Sequence, residues 1–418
     1  MDSSKRLAVE HFELTRRYFL GLGAAGIAGL GASIAWAEPG DSQALAEATA
    51  KLSYLTPVEQ FRMTVRGNPP IHTFSPEKRR EAGLDPETWR LEVVPDPESD
   101  CKVGHPLSKE LGTALDWPGL MKLAEKSAVR YLKAMTCTNI PDPMGMGLWE
   151  GVPVREVIWL ARPKANLRRI YYSGYDNNDP KWRYHSSLPI GRVLEDPPGE
   201  QPVILCYKLN GDWLTPKAGG PVRLVVPDGY GNRSIKWLER IVLTNSFQAN
   251  DTYATKNNDV ESPLKSYARF VHVPEKIKAG EAAAITGVAQ VGMSGLSKVQ
   301  YWLHPQADPF PADDPYFAKG QWKDAAILPP PEHWGGGLPD GKLPPIPAQI
   351  DSATGKPRHW PLCNTIVHWA VLLKDLAPGE CHLRCRTIDA NGTAQPLPRP
   401  FPKSGNNAIQ QVPLTVEA

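Results

Sequence analysis

The chain has no C-x-x-C pair and no C-x-x-C-H haem-attachment motif among its six cysteines, Cys101, Cys137, Cys206, Cys363, Cys381 and Cys385. That excludes covalently attached c-type haem and the usual two-thiol redox and zinc motifs. The cysteines are also too scattered for the dense disulfide framework that staples small exported domains. Cys381 and Cys385 share a face if Cys381-His-Leu-Arg-Cys385 is a strand, and neighbours along one strand are badly placed to bridge. An excess of one charge is missing too, with 47 basic residues against 45 acidic ones and a net charge of +2. Neither nucleic acid nor an anionic membrane surface is an expected partner. No internal repeat of solenoid period occurs.

What the chain does carry begins at Thr15-Arg16-Arg17-Tyr18-Phe19-Leu20, which opens an uncharged, Gly- and Ala-rich stretch closing on Ala35-Trp36-Ala37. This reads as a twin-arginine export signal over 1–37, cleaved after Ala37. The 19 residues Tyr18 to Trp36 would also just span roughly 30 Å of bilayer as an uncleaved anchor. The twin-arginine route carries proteins that have already folded, so a cofactor inserted before export to the periplasm is expected. Cleavage leaves 381 residues with 43 basic and 42 acidic side chains, enough for two domains with substantial cores.

Residues 38–60 form a lead-in with a helix expected over Ser42 to Leu52. From 61 to 270 short strands such as Val203 to Leu209 and Val222 to Val226 alternate with turns. Helical periodicity is plain at Leu120 to Leu132 and Pro153 to Ala161. The mixture predicts an α+β domain. From 271 to 418 the pattern is all β, with strands expected at Ala282 to Val291, Ser297 to Leu303, Thr365 to Leu373 and Cys381 to Ile388, and a turn at Asp389-Ala-Asn-Gly392. About seven such strands fit an immunoglobulin-like sandwich. Prolines and glycines crowd 305–347, and a proline-rich loop does not join a central ladder, so this insertion is placed as a surface excursion partly packed through Phe317, Trp322 and Trp334. A disordered linker is the other reading of it.

Several segments of the first domain fall in a recognisable order. Cys137-Thr-Asn139 is followed by Trp149-Glu-Gly-Val-Pro-Val-Arg-Glu-Val157, then by Gly174-Tyr-Asp176 and Ser187-Leu-Pro189. Leu205 to Leu243 then contains N-G-x-x-L, G-x-P-V-R, V-V-P and R-S-x-K-W-L. Taken together this resembles the sulfite oxidase family of molybdopterin enzymes, in which a mixed α/β molybdopterin-binding domain is followed by an immunoglobulin-like dimerisation domain.

The resemblance implies a molybdenum–molybdopterin cofactor with Cys137 as the protein's metal ligand, a soft thiolate suited to a centre that exchanges two electrons. On spacing alone, a lone Cys after the apolar run Tyr131 to Met135 would be a structural thiol. The resemblance further implies that Arg223 and the turn Ser234-Ile235-Lys236 hold the cofactor phosphate, and that Asp176 accepts from pterin N–H groups. Alone, these would be surface charges and a turn cap. Arg66, in Thr64-Val-Arg-Gly-Asn68, is the implied anion-binding arginine, with Asn68 beside it. Tyr253 is the candidate for the active-site tyrosine, with Asn257 nearer the expected register. The family's histidine five residues before Arg223 is Ala218 here, the basic residues that follow the cysteine motif are absent, and Arg358 or His359 stand in for an arginine from the second domain.

These features predict an exported oxidoreductase acting on a small sulfur oxyanion, with sulfite the leading substrate and a periplasmic cytochrome c accepting the electrons. Homodimerisation through 271–418 is implied as well. A sulfane dehydrogenase subunit with a dihaem cytochrome partner shares the layout. A methionine sulfoxide reductase is disfavoured by the sandwich, and a non-catalytic exported binding module is the reading from another class.

Overall fold

A computed structural model describes residues 39–346 and 348–418. The twin-arginine segment, 1–37, lies outside the described residues. Helix α1 (Pro39–Thr49) leads to α2 (Pro76–Glu81), β1 (Arg90–Pro95), β2 (Leu115–Asp116) and α3 (Trp117–Ser127). The chain continues through β3 (Val129–Met135), β4 (Gly145–Pro153), α4 (Val154–Leu160), β5 (Arg169–Gly174), β6 (His185–Pro189) and α5 (Ile190–Leu194). Strands β7 (Ile204–Leu209), β8 (Asp212–Trp213), β9 (Arg223–Val225) and β10 (Leu238–Thr244) complete two five-stranded sheets. One runs β2-β1-β10-β5-β6, with β1 and β10 parallel; the other runs β3-β4-β7-β8 with β9 also on β7. A mixed α/β layer results, as the sequence implied.

Eight further strands follow: β11 (Tyr267–His272), β12 (Lys276–Lys278), β13 (Ala283–Gln290), β14 (Lys298–Pro305), β15 (Lys323–Ile327), β16 (Ile366–Leu373), β17 (Gly379–Ile388) and β18 (Gln410–Glu417). They pair in the order β11-β13-β16-β15-β14-β17-β18-β12, folded over so that Ile285 and Leu373 of one layer meet Leu383 and Leu414 of the other. This is the expected β-sandwich. Its core is shared with the first half of the chain, because Leu132, Ala134, Met146 and Leu148 pack with Ala289, Val367 and Trp369. Burying each such side chain contributes about 1.5–3 kcal/mol.

Three expectations need correcting. The helix expected over Leu120 to Leu132 starts three residues earlier and stops at Ser127. Asp116 caps it by accepting from the Gly119 N–H at 2.9 Å, and Ala128 turns extended at ψ 133°. Val129 and Tyr131 then pair with β4, a tertiary ladder that outweighs the helical pattern. The lead-in helix runs Pro39–Thr49 rather than Ser42 to Leu52. The insertion is no disordered linker; it runs largely over the surface and packs through Phe317, Trp322 and Trp334, but it also contributes β15, which lies between β14 and β16 and joins the two layers. No proline falls between Pro315 and Pro329, so this stretch keeps every N–H for the ladder. Beyond β15, Trp334 and Ile346 are buried, and Gly336 O accepts from Asn210 Nδ2 at 3.0 Å, tying the insertion to the first half.

Candidate cofactor cavity

A cavity of about 220 Å³ opens where β3, β5 and β9 end. Its wall includes Arg66, Cys137, Asp176, Arg223, Ser234, Ile235, Lys236 and Tyr253, which the fold brings together from six separate stretches of the chain. Cys137 lies two residues beyond the end of β3. The backbone there is held by the Gly231 N–H donating to Thr136 O at 2.7 Å. The Cys137 side chain is half-buried at the edge of the apolar cluster that holds Met135 and Met144, with Sγ 2.7 Å from Asn139 Oδ1.

Arg223 is 4% exposed on β9, where its guanidinium donates to Ala218 O at 2.8 Å and Ser234 O at 2.7 Å and lies 5.2 Å over the Trp149 ring. Burial pushes its pKa down to about 10, leaving it charged at neutral pH. Ser234 Oγ accepts from the Val226 N–H at 3.1 Å, closing the turn after β9. At the end of that turn Trp237 adopts φ +53°, a left-handed conformation a bulky residue takes only when its surroundings enforce it. The Trp237 N–H and Nε1–H donate to Gly219 O and Pro216 O at 3.0 and 2.9 Å. Gly219 itself sits at φ +101°, and a Cβ there would lie 2.6 Å from Lys236 Cβ.

These contacts aim Lys236 across the wall, where Nζ donates to Thr64 O at 2.6 Å and Lys217 O at 3.2 Å. Burial, then Arg223 and Arg66, hold its ammonium down to about pKa 7, against the pull of Asp176. Asp176 Oδ1 accepts from the Tyr184 N–H at 2.8 Å, and burial raises its pKa while Arg66 opposes. Arg66 rests over the Tyr184 ring at 4.9 Å, and Tyr253 meets that ring edge-on at 5.2 Å.

Asn68 is exposed and is not on this wall. Between Arg66 and Asn68, Gly67 takes a left-handed backbone at φ +84°. Asn257 is likewise exposed and off the wall. Neither Arg358 nor His359 lines the cavity; Arg358 faces Asp351 at 3.8 Å.

Asn232 and Tyr184 are among the wall residues to which the sequence reading gives no role. Asn232 is 7% exposed and both its amide atoms lack a partner in the protein; the Tyr184 hydroxyl and Arg223 Nε are also buried without one. Unmet buried polar groups are costly, and here they converge on one space. An adjacent donor and acceptor on Asn232 suit the edge of a pterin, and Arg223 Nε and Lys236 suit its phosphate. The only sequence signal for Asn232 is its place in the turn Gly229-Tyr-Gly-Asn232. Among the described residues no group of three or more His, Cys, Asp and Glu could hold a metal, so a metal here would take Cys137 as protein ligand and its other donors from a cofactor. The residues present therefore fit a molybdopterin.

Comparison with known proteins agrees. Residues 81–252 match the oxidoreductase molybdopterin-binding domain. The chain is 30% identical over 186 residues to a nitrate reductase [NADPH] of Fusarium oxysporum, covering 44% of this chain and 19% of that protein. It is 28% identical over 183 residues to mitochondrial sulfite oxidase of Rattus norvegicus, covering 41% and 31%. It thus spans under a third of these relatives' length. The fold matches that of the sulfane dehydrogenase SoxCD of Paracoccus pantotrophus with a TM-score of 0.56 at 17% identity, over 94% of this chain and 96% of that one. Residues 81–252 thus match a molybdopterin-binding oxidoreductase domain, and the chain is similar there to sulfite oxidases and nitrate reductases.

Proposed function

We propose that this protein is an exported molybdenum oxidoreductase that oxidises an inorganic reduced sulfur compound, sulfite first among them, and passes the electrons to a cytochrome c. One observation carries the reading: a thiol, Cys137, the buried Arg223 and Asn232, and the half-buried Lys236 share a single cavity. When bound, the molybdenum cofactor supplies a two-electron oxidant able to exchange oxygen with the substrate. Cys137 is its protein ligand. Arg223, Asn232 and the Ser234-Ile235-Lys236 turn bind the pterin and its phosphate, and Asp176 accepts from it. Arg66 draws the anion in and Tyr253 orients it. The net change converts sulfite and water to sulfate, releasing two electrons and two protons. Export rests on the twin-arginine pattern, and the sandwich serves homodimerisation.

A sulfane dehydrogenase role is the second reading, favoured by the apolar side chains Met63, Ile140 and Met144 on the wall near Cys137, which suit an uncharged sulfur better than a dianion.

Full-length protein purified from a host that makes molybdopterin decides the matter by metal analysis and steady-state assay. Stoichiometric molybdenum with sulfite-dependent cytochrome c reduction supports the proposal. A metal-free protein, or one that reduces nitrate or methionine sulfoxide while leaving sulfite and thiosulfate untouched, overturns it. Cys137→Ser is expected to keep the fold and abolish turnover.

A further inference from the structure

Both neighbours of Cys137 are tied to the sandwich half of the chain. On one side, the Thr136 hydroxyl donates to Gln290 Oε1 through a short hydrogen bond. On the other, the Gly405 N–H donates to Thr138 O at 3.1 Å. Gln290 is fully buried at the end of β13, and its Nε2 donates to Lys265 O at 2.8 Å. A carbonyl can only accept, so the amide is fixed with its oxygen toward Thr136. Lys265 is buried too; its Nζ donates to Gly405 O at 3.2 Å, and its N–H to the Tyr230 hydroxyl at 3.2 Å. Gly405 adopts φ +83°, and any Cβ there would collide with the Tyr230 hydroxyl, so the turn closes this tightly only with glycine. From the first half, Gly231 N–H holds Thr136 O, and Lys133 Nζ donates to Pro227 O at 2.8 Å and Gly229 O at 2.9 Å.

The cysteine loop, the turn after β9 and the sandwich therefore meet in one buried network, and the sulfur lies one residue from a clamp on each side. We infer that Gln290, with the Gly405 turn, is a positioning residue for the Cys137 sulfur, so that the sandwich forms part of the metal site rather than a dimerisation module alone. The inference rests on Cys137 being the metal ligand. Groups that orient a metal ligand from behind usually matter about 10- to 100-fold for affinity or activity. A buried amide satisfied at both ends holds one geometry, because every alternative leaves a polar group without a partner.

The test uses Gln290→Met in the full chain, a near-isosteric change that removes both amide bonds. In loaded enzyme it is expected to retain most molybdenum, shift the sulfur-to-molybdenum charge-transfer absorption and the Mo(V) resonance, and lower kcat about 10- to 100-fold. In cofactor-free protein it is expected to change the rate at which a maleimide labels Cys137, while Cys101, Cys206, Cys381 and Cys385, all buried, stay slow. Thr136→Val removes the same bond from its other end and must shift the same signals, which keeps the test decisive if the Met variant does not fold. Unchanged spectra and an unchanged labelling rate in a folded variant overturn the inference. A Cys137→Ser enzyme that binds molybdenum with the wild-type spectrum overturns the ligand assignment instead.

Discussion

The two sides of the cavity are built differently. Arg223, Asn232 and Ser234 stand on β9 and a turn closed by backbone hydrogen bonds, and each is at least nine-tenths buried. Arg66, Asp176 and Tyr253 stand on loops, only partly buried, held mainly by the Tyr184 ring and backbone. The first side is rigid because moving any member strands a buried partner. The second can change one residue at a time. Departures from the family pattern fall accordingly: the cysteine, arginine, serine and lysine of the cofactor side are retained, while the tyrosine register and the arginine expected from the second half are not. Where Ala218 replaces a histidine on the rigid side, its carbonyl, not its side chain, meets Arg223. Under the proposed assignment, a rigid cofactor wall with an adaptable mouth would let one cofactor serve different substrates.

The sharpest way to break this contrast is Arg223→Met. Loss of the guanidinium leaves Ala218 O and Ser234 O buried without donors, so stability measured by denaturant unfolding is expected to fall by roughly 2–5 kcal/mol. Molybdenum is expected to be lost as well. A variant as stable as wild type and fully loaded would show that the two sides do not differ in rigidity.

The rigid side was also the legible one. Strands β7 and β9 are legible from their apolar residues and bounding turns, whereas the turn Ser234-Ile235-Lys236 is legible only through the family resemblance. Loop residues follow no such pattern, so the sequence offers no sign that Asn68 and Arg358 stand off the cavity wall. Asn232 looked like an ordinary turn residue; only the absence of any partner marks it. The junction of Thr136 with Gln290 and of Thr138 with Gly405 links positions more than 150 residues apart, for which a single sequence carries no signal. The end of the expected helix, which joins β3, and the proline-rich insertion, which yields β15, depart for another reason: pairing with neighbouring strands overrides local preference.

Lys236 tests the boundary between the sides. With its pKa near 7 in the folded, cofactor-free protein and the ordinary value of 10.5 when unfolded, the unfolded chain holds the extra proton between those limits. Unfolding free energy should therefore rise with pH across pH 7–10, and Lys236→Met should flatten the part of that slope due to this residue. Bound phosphate would restore the charge, so the slope difference is expected to vanish in loaded protein. Urea titrations of both forms at a series of pH values read this directly, and an equal slope in wild type and variant would place the ammonium in solvent, outside the rigid wall.

The smallest effects belong to the open side. Arg66→Gln should raise KM for sulfite about tenfold, equivalent to about 1.4 kcal/mol, with kcat less affected, because the guanidinium attracts the anion before it reacts. The wild-type KM should rise with ionic strength, and the variant's should rise less. Tyr253→Phe keeps the ring against Tyr184 and removes only a hydroxyl, so a change below about fivefold in kcat/KM is expected. If instead Tyr253→Phe costs more than Arg66→Gln, the hydroxyl acts on the reacting atoms and the mouth is as tightly specified as the wall behind it. Retention of full activity by both variants would mean that the substrate is not an anion, and would favour an uncharged sulfur lying against Met63 and Met144.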